Sequence, residues 1–152
     1  MIAGIFTLNS CKKKTVTPQL ATTPLYDTLG WFAMGGTGPI VMGDGTKMIS
    51  DPDNSGQMIQ AGRLAIRTVV KQAIGVIAGD TSLAVYFPTL LAEVKAGNTT
   101  GFSKLLKNFT DLVQQAVSGQ KGLYTGLSMV AAHNHATNPR FGSDQNPTSD
   151  SS

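Results

Sequence analysis

Between Phe102 and Val117 the apolar residues Phe102, Leu105, Leu106, Phe109, Leu112, Val113, Ala116 and Val117 recur at helical steps. With about 3.6 residues per turn, this spacing makes one apolar stripe along an α-helix. Ser103, Lys104, Lys107, Asp111, Gln114 and Gln115 occupy most of the opposite face and are expected to meet water. Such a helix draws its stability from partners that cover its stripe. The chain supplies them. Leu64, Ile66, Val69, Val70, Ala73, Ile74 and Ile77 follow the same spacing, in a helix predicted from about Gln57 to Ala78, capped by Ser55 and stopped at Gly79. A shorter helix is expected from Tyr26 to Met34, with Trp31 and Phe32 as buried anchors. Asp80 or Thr81 can start another toward Phe87, and Pro88 suits the first turn of one running through Lys95 before Gly97. The predicted class is all-α.

At 152 residues, 41% of them hydrophobic, the chain suits one domain with a single core. Its 17 glycines and 7 prolines imply long non-helical stretches. The longest, residues 35–56, reads as a Gly-rich surface loop inserted between helices. Residues 12–23, rich in Thr, Pro and Lys, read as a linker, and residues 141–152 as a disordered tail. Lys12, Lys13 and Lys14 equal the whole formal net charge of +3. A nucleic-acid partner is therefore not expected, because it would need basic residues gathered on a folded face.

One cysteine, Cys11, excludes an internal disulfide and an all-cysteine metal site. Leu8-Asn9-Ser10-Cys11 follows the apolar run from Met1 to Leu8, so residues 1–11 resemble the end of a bacterial lipoprotein signal. The resemblance implies lipid attachment at Cys11 and a periplasm-facing place on the cell envelope. Without that processing the protein would be cytoplasmic. No run approaches the ~20 apolar residues of a membrane-spanning helix, so lipid would be the only anchor.

The most specific stretch is Leu123-Tyr124-Thr125-Gly126-Leu127-Ser128-Met129-Val130-Ala131-Ala132-His133, ending on one of only two histidines. It resembles the proximal-histidine segment of the truncated haemoglobins, group I of the two-over-two globins. Leu25-Tyr26-Asp27-Thr28-Leu29-Gly30, Ala65-Ile66-Arg67-Thr68-Val69-Val70 and Val85-Tyr86-Phe87 resemble further segments of that family, in the family's order, across residues 24 to 139. The resemblance implies a globin-like domain over residues 24–140 that lacks the family's last two helices. It also implies haem, with iron held by His133 and a pocket that includes Phe87, Ile74, Leu105, Phe109, Tyr124 and Met129. Binding of a diatomic gas (O2, NO or CO) is the function expected, with Lys104 and Lys107 as partners for the haem propionates. Distal positions filled by Ile74, Leu105 and Phe109 provide no hydrogen-bond donor, which favours CO or NO over O2. A shifted register would bring in Asn108, Thr110 or Gln114.

Competing readings are a solvent-facing His133 and plain core packing of the apolar residues. The alternative function is a haem-free, globin-derived lipoprotein acting as a structural or interaction module, or a gene fragment. Apolar helix faces left uncovered would then meet a second copy or another partner. Other motifs fail. Asp51-Pro52-Asp53-Asn54-Ser55-Gly56 begins like a calcium loop, but its twelfth position is Gly62 rather than a glutamate. Gly35-Gly36-Thr37-Gly38 lacks the lysine of a phosphate loop. His135 falls on a different helical face from His133, and no third ligand accompanies the pair. Glu93 is the only glutamate, and no acid/base pair is evident.

Overall fold

The computed structural model describes residues 22–134 and 136–138. The lipoprotein-like segment with Cys11, the linker up to residue 21, His135 and the tail lie outside the described residues. Within them the chain is mostly helical, with one small hairpin: α1 (Pro24–Ala33), β1 (Met48–Ser50), β2 (Met58–Gln60), α2 (Ala61–Gly79), α3 (Thr81–Ala84), α4 (Pro88–Lys95), α5 (Thr100–Ser118) and α6 (Met129–Ala132). No helix among the described residues is long and apolar enough to cross a membrane.

Thr23, expected in the linker, belongs to the fold. Its hydroxyl accepts a hydrogen bond from Tyr26 N (3.2 Å) as the cap of α1 and donates to the carbonyl of Val117 on α5. The anchors of α1 also differ from expectation. Phe32 is exposed and Trp31 only half-buried, whereas Tyr26 is completely buried and Leu29 packs on the core. Glycines explain the choice. A Cβ on Gly62 would stand 2.6 Å from Tyr26 Cε2, and one on Gly30 would stand 2.7 Å from the Cα of Gly45. Helix α1 can therefore press its Tyr26 face directly against the backbone of the 43–47 loop and the first turn of α2.

The core joins Tyr26 to Ile66, Val70 and Ile74 of α2, flanked by Phe102, Leu105, Leu106, Phe109, Val113 and Val117 of α5. Val69, expected inside, is exposed. A polar network fills the centre beside these side chains. Tyr26 Oη donates to Gln60 Oε1 (2.7 Å), and Gln114 Nε2 donates to Tyr26 Oη (3.0 Å). Arg63 donates to Gln114 Oε1 (2.6 Å) and pairs with Asp111 (2.7 Å), which also holds Lys107 (2.6 Å). Asp111 and Gln114, predicted to face water, are thus buried, because each finds a partner that offsets its lost hydration. Burial pushes the Tyr26 phenol up to about 12, opposed by the nearby Arg63 cation.

The inserted loop is more ordered than the sequence suggests, and helix α2 begins later. Residues 58–60 are a strand: Met48, Ile49 and Ser50 pair antiparallel with Gln60, Ile59 and Met58. Ile59 is buried between two less buried neighbours, the period-two pattern of a half-buried strand. Ser55 therefore caps nothing. Helix α2 starts instead with Ala61 N and Gly62 N donating to the carbonyls of Lys47 (2.8 Å) and Gly45 (2.9 Å).

The calcium-like loop is occupied by the chain's own cations. Arg67 grips Asp51 with both terminal nitrogens (2.8 and 2.6 Å) and reaches Asp53 (3.0 Å), while Lys71 lies 3.5 Å from Asp53. Asp51 is buried, and the Arg67 hydrogen bonds hold its carboxyl far below the usual carboxylate range. Arg67 is raised in turn by the same bonds. Arg67→Leu strands a buried carboxylate and should cost about 3 kcal/mol, read as a lower denaturation midpoint by circular dichroism. Because the folded value of Asp51 lies below the unfolded one, its contribution is complete above roughly pH 4 and is lost as pH falls toward the folded value. Asp51→Asn should therefore melt with a shallower dependence on pH below 4 than the parent does.

Candidate functional site

Helix α5 has a second side. Gly101, Leu105, Asn108 and Leu112 repeat at steps of four, three and four, forming a stripe that lines a cavity of about 730 Å³. Ile74 and Ile77 near the end of α2, Phe87 and Leu90 around the start of α4, and the segment from Tyr124 to His133 supply the other walls. Phe109 sits where this face meets the core. The lining is chiefly apolar.

The wall from Tyr124 to His133 is positioned from α5. After the left-handed Gly119 and Gly122 reverse the chain, Gln115 Oε1 accepts from Leu123 N (3.0 Å) and Tyr124 N (3.3 Å). The Tyr124 hydroxyl donates to the carbonyl of Leu127, which closes a small loop around Gly126. Ser128 then caps α6 by accepting from Ala131 N (3.2 Å). His133 is the residue that ends this single turn. Its Nδ1 lies 2.7 Å from the carbonyl oxygen of Met129. A carbonyl only accepts, so Nδ1 carries the proton in this contact. Leu127, Met129 and His133 line the cavity yet are themselves exposed.

All seven residues expected at the site (His133, Phe87, Ile74, Leu105, Phe109, Tyr124 and Met129) border this one cavity. Lys104 and Lys107 reach its rim; Lys107 is tied to Asp111, whereas Lys104 makes no ion pair among the described residues. Of the three polar residues of the shifted register, Thr110 and Gln114 are buried away from the cavity, and Asn108 lines it. Its place among Gly101, Leu105 and Leu112 could have been read from the helical spacing. The tie through Gln115 could not, because it joins residues eight and nine apart across a turn. Among the described residues no three of His, Cys, Asp and Glu gather as a metal cluster.

Compared with known protein families, catalogued proteins and solved structures, the chain matches none.

A cavity this apolar should take up an apolar probe, and filling it should stabilise the fold. Leu105→Trp is expected to cut the fluorescence of a bound anilinonaphthalene dye severalfold and to raise the melting temperature by a few degrees. Unchanged dye binding would show that the probe sits elsewhere.

Proposed function

We propose that the protein binds haem in this cavity and, through it, a diatomic gas: O2, NO or CO. One observation carries the reading. His133 borders an apolar cavity of about 730 Å³, and the bond between its Nδ1 and the Met129 carbonyl fixes the ring on that wall. Metal-binding histidines are commonly oriented in this way, with the second ring nitrogen donating to a carbonyl. The volume lies within the range of cofactor pockets, and a planar apolar ligand would cover the exposed faces of Leu127 and Met129. The resemblance of Tyr124 to His133 to the truncated haemoglobins supports the same reading.

Bound haem supplies an iron centre able to take a small gas. The chain's own residues do the rest. His133 would be the residue to hold the iron, and Gln115 and Ser128 fix the segment that carries it. Phe87, Ile74, Leu105 and Phe109 exclude water. Lys104, which borders the cavity, would be a cation within reach of the group's carboxylates. Hemin titrated into the full chain carrying Cys11→Ser should give a Soret band at one equivalent, and His133→Ala should weaken binding roughly 100-fold. A colourless mixture would remove the haem assignment.

A second reading, a haem-free interaction module, is favoured by Val69 and Val76, both exposed on the outer face of α2. A stable oligomer that takes up no hemin would support it. We also propose lipid attachment at Cys11 and an envelope location, supported by the apolar run before it. In a bacterial host, the chain should incorporate labelled palmitate and lose the label in Cys11→Ser; equal labelling of both would exclude this anchor.

A further inference from the structure

Leu25 and Phe32 lie two turns apart on one side of α1, and both are exposed. Beyond the helix the chain turns at Gly35 and Gly38, whose φ values of +83° and +93° favour glycine. It then presents Ile40, Val41 and Met42 to water, Ile40 at 71% and Met42 at 77% exposure. Both ends of this loop rest on Trp31. A Cβ on Gly36 would stand 2.1 Å from Cδ2 of the indole, and one on Gly43 would stand 2.6 Å from the Trp31 Cβ. The apolar tip is therefore hung from the end of α1 that carries Phe32.

From Thr28 to Gly43 no side chain carries a charge. The flanking carboxylates are committed to the fold. Asp27 accepts from Thr22 Oγ1 and Gly45 N (both 2.9 Å), and Asp44 accepts from Thr46 N and Oγ1 (2.8 and 2.6 Å). Lys47, just past the loop, is exposed and makes no ion pair among the described residues. Single exposed apolar side chains are ordinary, but an uncharged series along one helix and the loop at its end marks a contact surface.

We infer that this face lies on a lipid bilayer, with Ile40, Val41 and Met42 entering the headgroup zone and Lys47 meeting anionic headgroups. The inference rests on the lipid attachment proposed at Cys11. Eleven residues lead from Cys11 to Thr22 and reach at most about 36 Å, so the fold would be held close to the surface. That tether enters at the start of α1, beside Leu25, and its Lys12, Lys13 and Lys14 favour anionic lipid as Lys47 does. A protein partner pairs polar groups as well as apolar ones, and this face offers almost none. A bilayer needs only apolar side chains at the right depth and cations beside them. The backbone of residues 37–42 makes no hydrogen bond among the described residues, so the tip stops in the hydrated zone, short of the hydrocarbon.

Trp31 is the only tryptophan and sits at the base of the loop, where it reports contact. The test titrates the full chain carrying Cys11→Ser with phosphatidylethanolamine–phosphatidylglycerol vesicles, with and without bromine on the acyl chains. Brominated lipid should quench Trp31. Ile40→Asp combined with Met42→Asp should remove the quenching and weaken vesicle binding at least about tenfold. Both positions are exposed, so this variant should melt within about a degree of the parent. Lys47→Ala should weaken binding roughly fivefold, and only where phosphatidylglycerol is present. If the aspartate pair fails to fold, Ile40→Ser with Met42→Gln gives the same readings. Equal quenching in parent and variant would overturn the assignment, because the apolar run from Met1 to Leu8 would then be the binding element. So would an oligomer that the same pair dissolves in a chain indifferent to vesicles, which would assign the face to a second copy. Trp31 quenching in a chain that takes up no labelled palmitate removes the anchor and keeps the docking face. A palmitate-labelled chain whose Trp31 stays unquenched in brominated vesicles removes the docking face and keeps the anchor.

Discussion

Enclosing the Tyr26 ring is the step on which the remaining packing depends. Gly62 leaves space for the ring at the first turn of α2, and Gly30 lets α1 close on the backbone at Gly45. The hydroxyl is then satisfied twice, by Gln60 at the end of the hairpin and by Gln114 on α5. One side chain thus fixes the mutual placement of α1, α2, the hairpin and α5. An unsatisfied hydroxyl at that depth would cost on the order of 1–3 kcal/mol, so the glutamines are structural requirements.

The rotation of α5 follows from this. With Gln114 and Asp111 drawn inward to Tyr26 and Arg63, Asn108 and Leu112 have to face the other way, toward α4 and the segment bearing His133, with Leu105 at the border between core and cavity. The residues that hold the core together therefore also decide which side chains line the cavity. The Arg67–Asp51 grip acts in the N-terminal half of α2, tying the hairpin down beside Gln60, which reaches Tyr26.

The helices were legible because their signals are local. Pro88 marks a start through its fixed φ and Gly97 a stop through its left-handed backbone, and the apolar spacing of α5 is unambiguous. Residues 58–60 were misread as helix because their strand pairing is with Met48–Ser50, across a turn whose order comes from Arg67. The inward turn of Asp111 and Gln114 was illegible for a related reason. Polarity predicts exposure only when no partner waits inside, and Arg63 and Tyr26 are distant in the chain. At the cavity, the seven expected residues border one space. Asn108 entered the sequence reading only through a shifted register, because the register taken from Phe87 pointed to Leu105 and Phe109.

Helix α5 serves two neighbours by different chemistry, and this divides the molecule's tolerance to change. Along its inner edge, polar contacts are specific and mutually dependent, so a substitution there disturbs several partners at once. Along its outer edge, apolar side chains border open volume and answer to whatever fills it. Drift in that second set can retune an occupant while the scaffold persists, which leaves the cavity wall free to diversify far faster than the fold that carries it.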